Sequence, residues 1–491
     1  MNPPIFRIFV LFLALFGTLV YFTSKWTVFD AEELQAKTEN RRGLIAEQQI
    51  PRGKITTADG VLIAESVAEG GGRKPVYVRR YPAGTPFGNP VGYSFVEVGR
   101  SGIESSENDL LSGEENEFAS IIDQLSGNAP AGADITLTLD AAAQQLAAQQ
   151  LQAAIDSTPG ASGFGGSVVA IEPDTGAVKV MASVPGYDGN AVRDEATFSE
   201  LSQDEAAPLV NRPTQSTYEP GSTMKVLTVS AALDSGEIEP DTVINADSPK
   251  QISGAPLSNS GGESFGDIDA TTALTNSVNT YWAQVGEQLG ADTYLEYMER
   301  FGFNRDPALN YPDNQMAPSG VYSEGSLLDD GDLIDIGRVA IGQERLLATP
   351  LQMAQVAATV ANQGTLMEPT LLQSAQDPDG RTITELEDGE EQNQAISEET
   401  AAQVTEMMVN VTEEGTASSL SLGGVQFAGK TGTAEIDVEA SINRPWFIGF
   451  APAEDPQIAI AVMLERCTGC FGGEVSGPIA TEVMGSLLDG G

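Results

Sequence analysis

The sequence predicts an α/β protein of the α+β type in three parts: one membrane-spanning helix, an extended N-terminal module, and a large domain whose terminal segments share an antiparallel sheet. Apolar runs with clear turn chemistry lie at both ends of the large domain, and helical patterns fill its middle. The uncharged, mostly apolar stretch from Ile8 to Phe22 supplies the membrane helix. At 491 residues the chain is long enough for two or three domains, with a sizeable core in the largest.

The apolar stretch can extend from about Ile5 to Trp26, with Arg7 snorkelling at one end. Positive charge precedes it, whereas Asp30, Glu32 and Glu33 follow. The positive-inside rule then predicts a cytoplasmic tail at 1–7, a single span at 8–26 and everything after it outside the cell. No small-x-small cleavage site follows, so an uncleaved anchor is expected. Residues 27–135 are rich in Gly, Glu and Ser and read as a pedestal. Within it, short apolar runs flank Asp59-Gly60, a hairpin signal, and Gly102-Ile103-Glu104 opens a helical-looking stretch. A linker is expected near 112–134.

The main domain is expected over 136–491. Asp140 can cap a helix that runs to about Asp156. A hairpin follows, with strands Ser167–Ile171 and Ala177–Ser183 joined by Glu172-Pro173-Asp174-Thr175-Gly176. Helical patterns occupy about 223–235, 278–289, 348–362, 398–412 and 477–488. A second hairpin pairs Trp446–Phe450 with Ile458–Leu464.

Charge excludes one broad class of function. With 70 acidic against 25 basic residues the formal net charge is -45, so no basic face is available to neutralise nucleic-acid phosphates. The acidity fits a solvated surface and, as a sharper expectation, an exported domain adapted to salt. Cys467 and Cys470 are the two cysteines. Zinc needs two more ligands, and with 0 histidines none can come from imidazole. A glycine-rich turn without a βαβ context argues against a thioredoxin-like site, which leaves a small disulfide-closed loop or two free thiols.

The same absence of histidine constrains nucleophilic catalysis. Ser222-Thr223-Met224-Lys225 places a lysine three residues after a serine at a helix start, where free N–H groups and the dipole favour anionic charge. The two side chains share a face, and a buried lysine, or one beside a second ammonium, can act as a base. Ser277-Val278-Asn279 heads an apolar helix, and Lys430-Thr431-Gly432-Thr433 precedes the last hairpin. Gly432 there would let a substrate backbone approach, while the hydroxyls and ammonium bind a carboxylate.

These three elements, 55 and then 153 residues apart, resemble the penicillin-recognising serine acyltransferases. Arg52-Gly53, Gly102-Ile103-Glu104, Asn211-Arg212, Tyr218-Glu219-Pro220-Gly221-Ser222, Ile341-Gly342-Gln343, Ala348-Thr349-Pro350-Leu351 and Trp446–Pro452 narrow the resemblance. It is to class B penicillin-binding proteins, particularly the actinobacterial penicillin-binding protein A type. It implies a five-stranded antiparallel sheet flanked by helices, a dimerisation-like pedestal, and a D,D-transpeptidase cross-linking peptidoglycan stem peptides without cofactor or metal. Ser222 would be the nucleophile, Lys225 its base and Ser277 a proton relay. Asn279 would bind the peptide chain, Lys430 tune the electrostatics, and Thr431 and Thr433 hold the terminal carboxylate. The backbone N–H groups of Ser222 and Thr433 would form the oxyanion hole. The implied partners are stem peptides on glycan strands made from lipid-linked precursors, β-lactams as inhibitors, and a membrane glycosyltransferase of the SEDS family.

Two alternatives share the three motifs: a β-lactamase-like hydrolase and a membrane-anchored β-lactam sensor. Asp306-Pro307-Ala308-Leu309-Asn310 faintly resembles the loop that activates water in class A β-lactamases, but it carries Asp in place of Glu. A sensor calls for more than about seven residues before the anchor. A built-in glycosyltransferase is excluded by the size of the pedestal.

Overall fold

The computed structural model describes residues 3–26, 48–69, 75–113, 131–328 and 334–489. Most of the linker expected at 112–134 lies outside them. Helix α1 (Pro3–Ser24) carries exposed Phe, Leu and Ile side chains along its length. Among the described residues it alone is long and apolar enough to cross a membrane.

The pedestal is built on strands β1 (Ile55–Thr56), β2 (Leu62–Glu69) and β3 (Val76–Arg80), with β4 (Asp134–Leu137) parallel to β1. The expected hairpin forms: Gly60 takes φ 80° and donates to the Thr57 carbonyl at 2.9 Å, turning β1 into β2. What holds the module together is a buried charge cluster. The fully buried Glu104 carboxylate accepts from Arg79 Nε at 2.5 Å, from Arg52 at 3.1 Å and from the Tyr81 hydroxyl at 3.1 Å. Beside it, a side-chain carbon on Gly53 would fall 1.7 Å from the Ala133 carbonyl oxygen, so only glycine admits β4's approach. Arg52-Gly53 and Gly102-Ile103-Glu104, half a hundred residues apart in sequence, are thus two halves of one contact.

The main domain opens with α2 (Ala141–Ser157), capped as expected by Asp140, whose carboxylate accepts from the Ala143 N–H at 2.7 Å. The first hairpin, β5 (Gly166–Ile171) and β6 (Val178–Val184), follows. Next come α3 (Lys225–Asp234), α4 (Asn279–Arg300) and α5 (Pro350–Ala361). The first helical stretch of α4 ends where expected, near 289: Gly290 takes non-helical φ 74° and ψ 162°, and a second stretch then continues to Arg300.

Strands β7 (Leu372–Gln376) and β8 (Thr382–Glu385) then leave the main domain. They join the pedestal in a mixed sheet ordered β8-β7-β4-β1-β2-β3. After α6 (Glu398–Glu413) the chain returns through β9 (Ala428–Asp437), β10 (Ile442–Ala451), β11 (Ile458–Leu464) and helix α7 (Gly472–Asp489).

The principal sheet runs β9-β10-β11-β5-β6 with every pairing antiparallel, so the two terminal hairpins meet at β11 and β5. α2 and α7 pack on this sheet and on each other, whereas α5 packs on it beside α3 and α6. Covered on both faces, β11 is buried at all seven positions, which explains its unbroken apolar run. A short sixth strand, Cys467–Thr468, pairs with β10 off this path, and β9 is left at an edge that carries Lys430-Thr431-Gly432.

Burial by itself pushes the Glu104 carboxyl up, but the Arg79 and Arg52 guanidiniums outweigh it and hold the group below the usual carboxylate range. A depressed folded pKa contributes stability above the unfolded value that is lost as pH falls through the folded one. Glu104→Ala strands two buried guanidiniums and is expected to cost about 3–5 kcal/mol. Thermal melts of the detergent-solubilised protein check this, and the gap between wild type and variant should narrow in acid.

Candidate active site

The nucleophile turn is an interlock of glycines. Gly221 takes φ 54°, and a side-chain carbon on it would come within 2.9–3.1 Å of the Thr433–Ala434 backbone. Its N–H donates to the Gly342 carbonyl at 2.9 Å, and a side chain at Gly342 would strike the Gly221 carbonyl oxygen at 1.9 Å. Gly221–Met224 forms a 3-10 turn that continues into α3, so Ser222 opens the helical segment as expected. In that tighter geometry residues three apart eclipse each other. Half-buried Ser222 and fully buried Lys225 therefore meet, with Nζ 3.0 Å from Oγ.

Lys225 Nζ also lies 2.7 Å from the Ser277 carbonyl oxygen and 2.6 Å from Asn279 Oδ1. The Asn279 amide is oriented from behind, since its Nδ2 donates to the Ser258 carbonyl at 3.3 Å. Both partners of the amine are pure acceptors. They can take the two N–H bonds of a neutral amine and leave its lone pair facing the Ser222 hydroxyl. Burial favours that neutral form and drives Lys225 well below the usual lysine range, and the charge of Lys430 pushes it further.

Ser277 joins the two lysines. It sits at φ 58°, a left-handed conformation uncommon for a serine, which turns its carbonyl and its hydroxyl into the site together. Lys430 Nζ donates to Ser277 Oγ at 2.9 Å and to the Thr431 carbonyl at 3.0 Å, while Lys225 Nζ is 3.3 Å from the same hydroxyl. Lys430 is itself fully buried, and burial lowers its pKa to about 7.

The β9 edge forms the facing wall of a cleft of about 720 Å³ lined by Ser222, Ser277, Asn279, Thr431 and Thr433. Thr431 and Thr416 share a hydroxyl–hydroxyl bond of 2.6 Å, and Thr433 Oγ1 accepts from the Gly472 N–H at 3.3 Å. Gly432 lines the cleft and has a second use within the fold. A side-chain carbon there would meet Thr223 Cγ2 at 2.8 Å and the Pro220 carbonyl at 2.9 Å, so the glycine lets β9 lie against the nucleophile turn. Cys467 and Cys470 are joined in a disulfide.

A charged clamp lies behind the turn. Tyr218 donates its hydroxyl to Glu465 at 2.7 Å, and Arg212 Nε donates to the same carboxylate at 2.8 Å. Glu219 pairs with Arg444, and its carbonyl accepts from Trp446 Nε1 at 3.0 Å. The sequence singled out Arg212, Tyr218, Glu219 and Trp446, but Glu465, Arg444, Ser258 and Thr416 went unnoticed. Their partners are distant in sequence, and no local pattern marks them. None of the five residues from Asp306 to Asn310 lines the cleft. Asn310 instead donates to Glu107 of the pedestal at 2.7 Å, so this loop is a domain contact and does not serve water.

Known proteins share this arrangement. The penicillin binding protein transpeptidase domain matches residues 166–485, and the penicillin binding protein A dimerisation domain matches residues 52–135. The chain is 34% identical to peptidoglycan D,D-transpeptidase PbpA of Mycolicibacterium smegmatis over 507 residues, 99% of each protein. Identity to PbpA of Mycobacterium tuberculosis is also 34%, across 100% of both chains. Among solved structures, the ceftriaxone acyl-enzyme complex of penicillin-binding protein A from M. tuberculosis superposes with a TM-score of 0.79 at 30% identity, covering 90% of this chain and 99% of that one. The D,D-transpeptidase domain of a peptidoglycan glycosyltransferase from Eggerthella lenta gives 0.74 at 32% identity, with 90% and 99% covered. This chain therefore belongs to the penicillin-binding protein transpeptidase family, in the arrangement that carries the penicillin-binding protein A dimerisation domain.

Proposed function

We propose that this protein is a peptidoglycan D,D-transpeptidase that cross-links stem peptides through a serine acyl-enzyme and is acylated by β-lactams at the same residue. The observation that carries the reading is a serine hydroxyl 3.0 Å from a fully buried lysine amine whose two shortest contacts, at 2.6 and 2.7 Å, are to acceptors. Ser222 Oγ attacks the penultimate D-Ala carbonyl as its proton passes to Lys225 Nζ. Collapse of the tetrahedral intermediate breaks the C–N bond, and Ser277 passes a proton to the departing D-Ala amine. An amine from a neighbouring stem then attacks the ester and regenerates the Ser222 hydroxyl. Developing negative charge on the carbonyl oxygen falls to the N–H groups of Ser222 and Thr433, at ~3 kcal/mol per donor. Gly221 packing on Thr433 and Ala434 supports that pairing of donors.

Asn279 holds the peptide chain, and Thr431 and Thr433 hold the terminal carboxylate, with Lys430 setting the local potential. Among the described residues one helix is long and apolar enough to cross a membrane, which supports a single-pass membrane protein. Arg7 near the start of the helix and the acids that follow it in sequence support a catalytic domain facing the exoplasmic side. The membrane partner that supplies glycan strands is a glycosyltransferase of the SEDS family, contacted through the anchor and pedestal. Among the described residues the segment from Asp306 to Asn310 stays out of the cleft lining, which disfavours the β-lactamase-like reading.

A labelled penicillin should form a covalent adduct with the wild type and none with Ser222→Ala, read by gel fluorescence. An adduct that survives the substitution would move the nucleophile elsewhere. Acylation needs Lys225 neutral, so its rate should persist well below the ordinary lysine pKa and fall only as pH drops through the depressed value. Lys430→Gln removes the second ammonium, raises the Lys225 pKa and should move this acid limb to higher pH in stopped-flow acylation. Co-purification from detergent tests the partner: exchanging residues 1–110 for those of an unrelated protein should abolish the complex.

A further inference from the structure

The mechanism leaves the disulfide unused, yet it stands at the head of the segment that lines the cleft. Cys467 and Thr468 form a short strand on β10, Cys467 opposite Asn443 and Thr468 opposite Ile442. The Asn443 amide donates to the Cys470 carbonyl at 3.0 Å, and the Gly469 N–H to the Ser441 carbonyl at 2.8 Å. Both cysteines are buried, at 0% and 5% exposure, so the bridge is an internal tie.

The next residues enter the site. Gly472 threads between strands, where a side-chain carbon would lie 2.1 Å from the Trp446 carbonyl and 2.4 Å from that of Gly432. Its N–H is the group that donates to Thr433 Oγ1. A hydroxyl has one proton. With a lone pair of Thr433 Oγ1 engaged by Gly472, that proton is free to point into the cleft as a donor. Gly469, Gly472 and Gly473 give this turn more backbone freedom than any other residue type would. The covalent closure at Cys470, two residues before Gly472, is what restricts it.

We propose that the Cys467–Cys470 disulfide is a positioning element of the acyl-transfer site, holding Gly472 against Thr433 so that the Thr433 hydroxyl presents its proton to the substrate carboxylate. This rests on the transpeptidase reading and adds to it a determinant of carboxylate recognition outside the three motifs.

The test compares acylation of the detergent-solubilised full chain by benzylpenicillin and by its methyl ester, which lacks the carboxylate. In Cys467→Ala/Cys470→Ala the preference for the free acid should fall about tenfold, the size of one charge-assisted hydrogen bond, with the rate on the ester nearly unchanged. Thr433→Val should lose the same preference. Should the double variant fail to fold, wild type reduced with dithiothreitol and then desalted replaces it. The dithiol supplies the two electrons and two protons that turn the bridge into two thiols, and it leaves as a cyclic disulfide. An unchanged preference in either form overturns the proposal, and so does a parallel loss on both substrates, which would mark a merely structural bridge. No adduct on the wild type would sink the transpeptidase reading together with this one, whereas an adduct with unaltered preference sinks this one alone.

Discussion

Two lysine side chains are fully buried on either side of one serine hydroxyl, in a chain without histidine. Burying one ammonium is costly, and burying two within reach of a shared hydroxyl is costlier still unless protons are released. The structure responds by supplying acceptors: a carbonyl and an amide oxygen for Lys225, a carbonyl and a hydroxyl for Lys430. Burial, together with the charge of Lys430, holds Lys225 well below the usual lysine range, so a group that is an ammonium in water can serve here as a base. Histidine has that property without burial. Here the fold has to create it, and the packing around the site follows from that need.

Burial of Lys225 requires walls that close with almost no space between them, which explains the glycines. Gly221, Gly342, Gly432 and Gly472 each stand where a side-chain carbon would collide with backbone or side-chain atoms of another segment. Together they let the nucleophile turn, β9 and the start of α7 approach one another at backbone distance. The cost is conformational freedom in the unfolded chain, and covalent or ionic ties offset it. Glu465 and Glu219 clamp the approach to the turn through Arg212 and Arg444, and the disulfide restrains the approach to α7.

Much of this was legible in the sequence because it is local. Asp140 capping α2, the Asp59-Gly60 turn and the two apolar hairpins announce themselves within a few residues. The Ser-x-x-Lys spacing is likewise local, since helical geometry alone brings positions three apart together. Thr416 could not be found that way: its partner Thr431 is reached by a return of the chain. Strands β7 and β8 were equally opaque: β8 is an edge strand exposed at all four positions and β7 buries only Ala375, so neither shows the alternation that marks a strand in sequence. Gly432 was noticed for a substrate contact, and its packing against Thr223 and Pro220 was not foreseen. A glycine in a pattern says that something comes close, and only the fold says what.

The pedestal bears on the chemistry through the segment that leads to Ser222. The Asn89 amide donates to the carbonyls of Pro208 at 2.9 Å and Val210 at 3.1 Å, just before Asn211-Arg212. The Gly102 N–H donates to the Gln315 side chain at 2.8 Å, and the Gln315 carbonyl accepts from Thr214 at 2.7 Å. Arg212 then pairs with Glu465, which holds Tyr218, four residues before the nucleophile. An unbroken run of short polar contacts thus connects Glu104's neighbours to the turn that carries Ser222. A tilt of the pedestal has to either break one of these bonds or move the approach to Ser222. That gives an N-terminal module without catalytic residues a physical route to the serine.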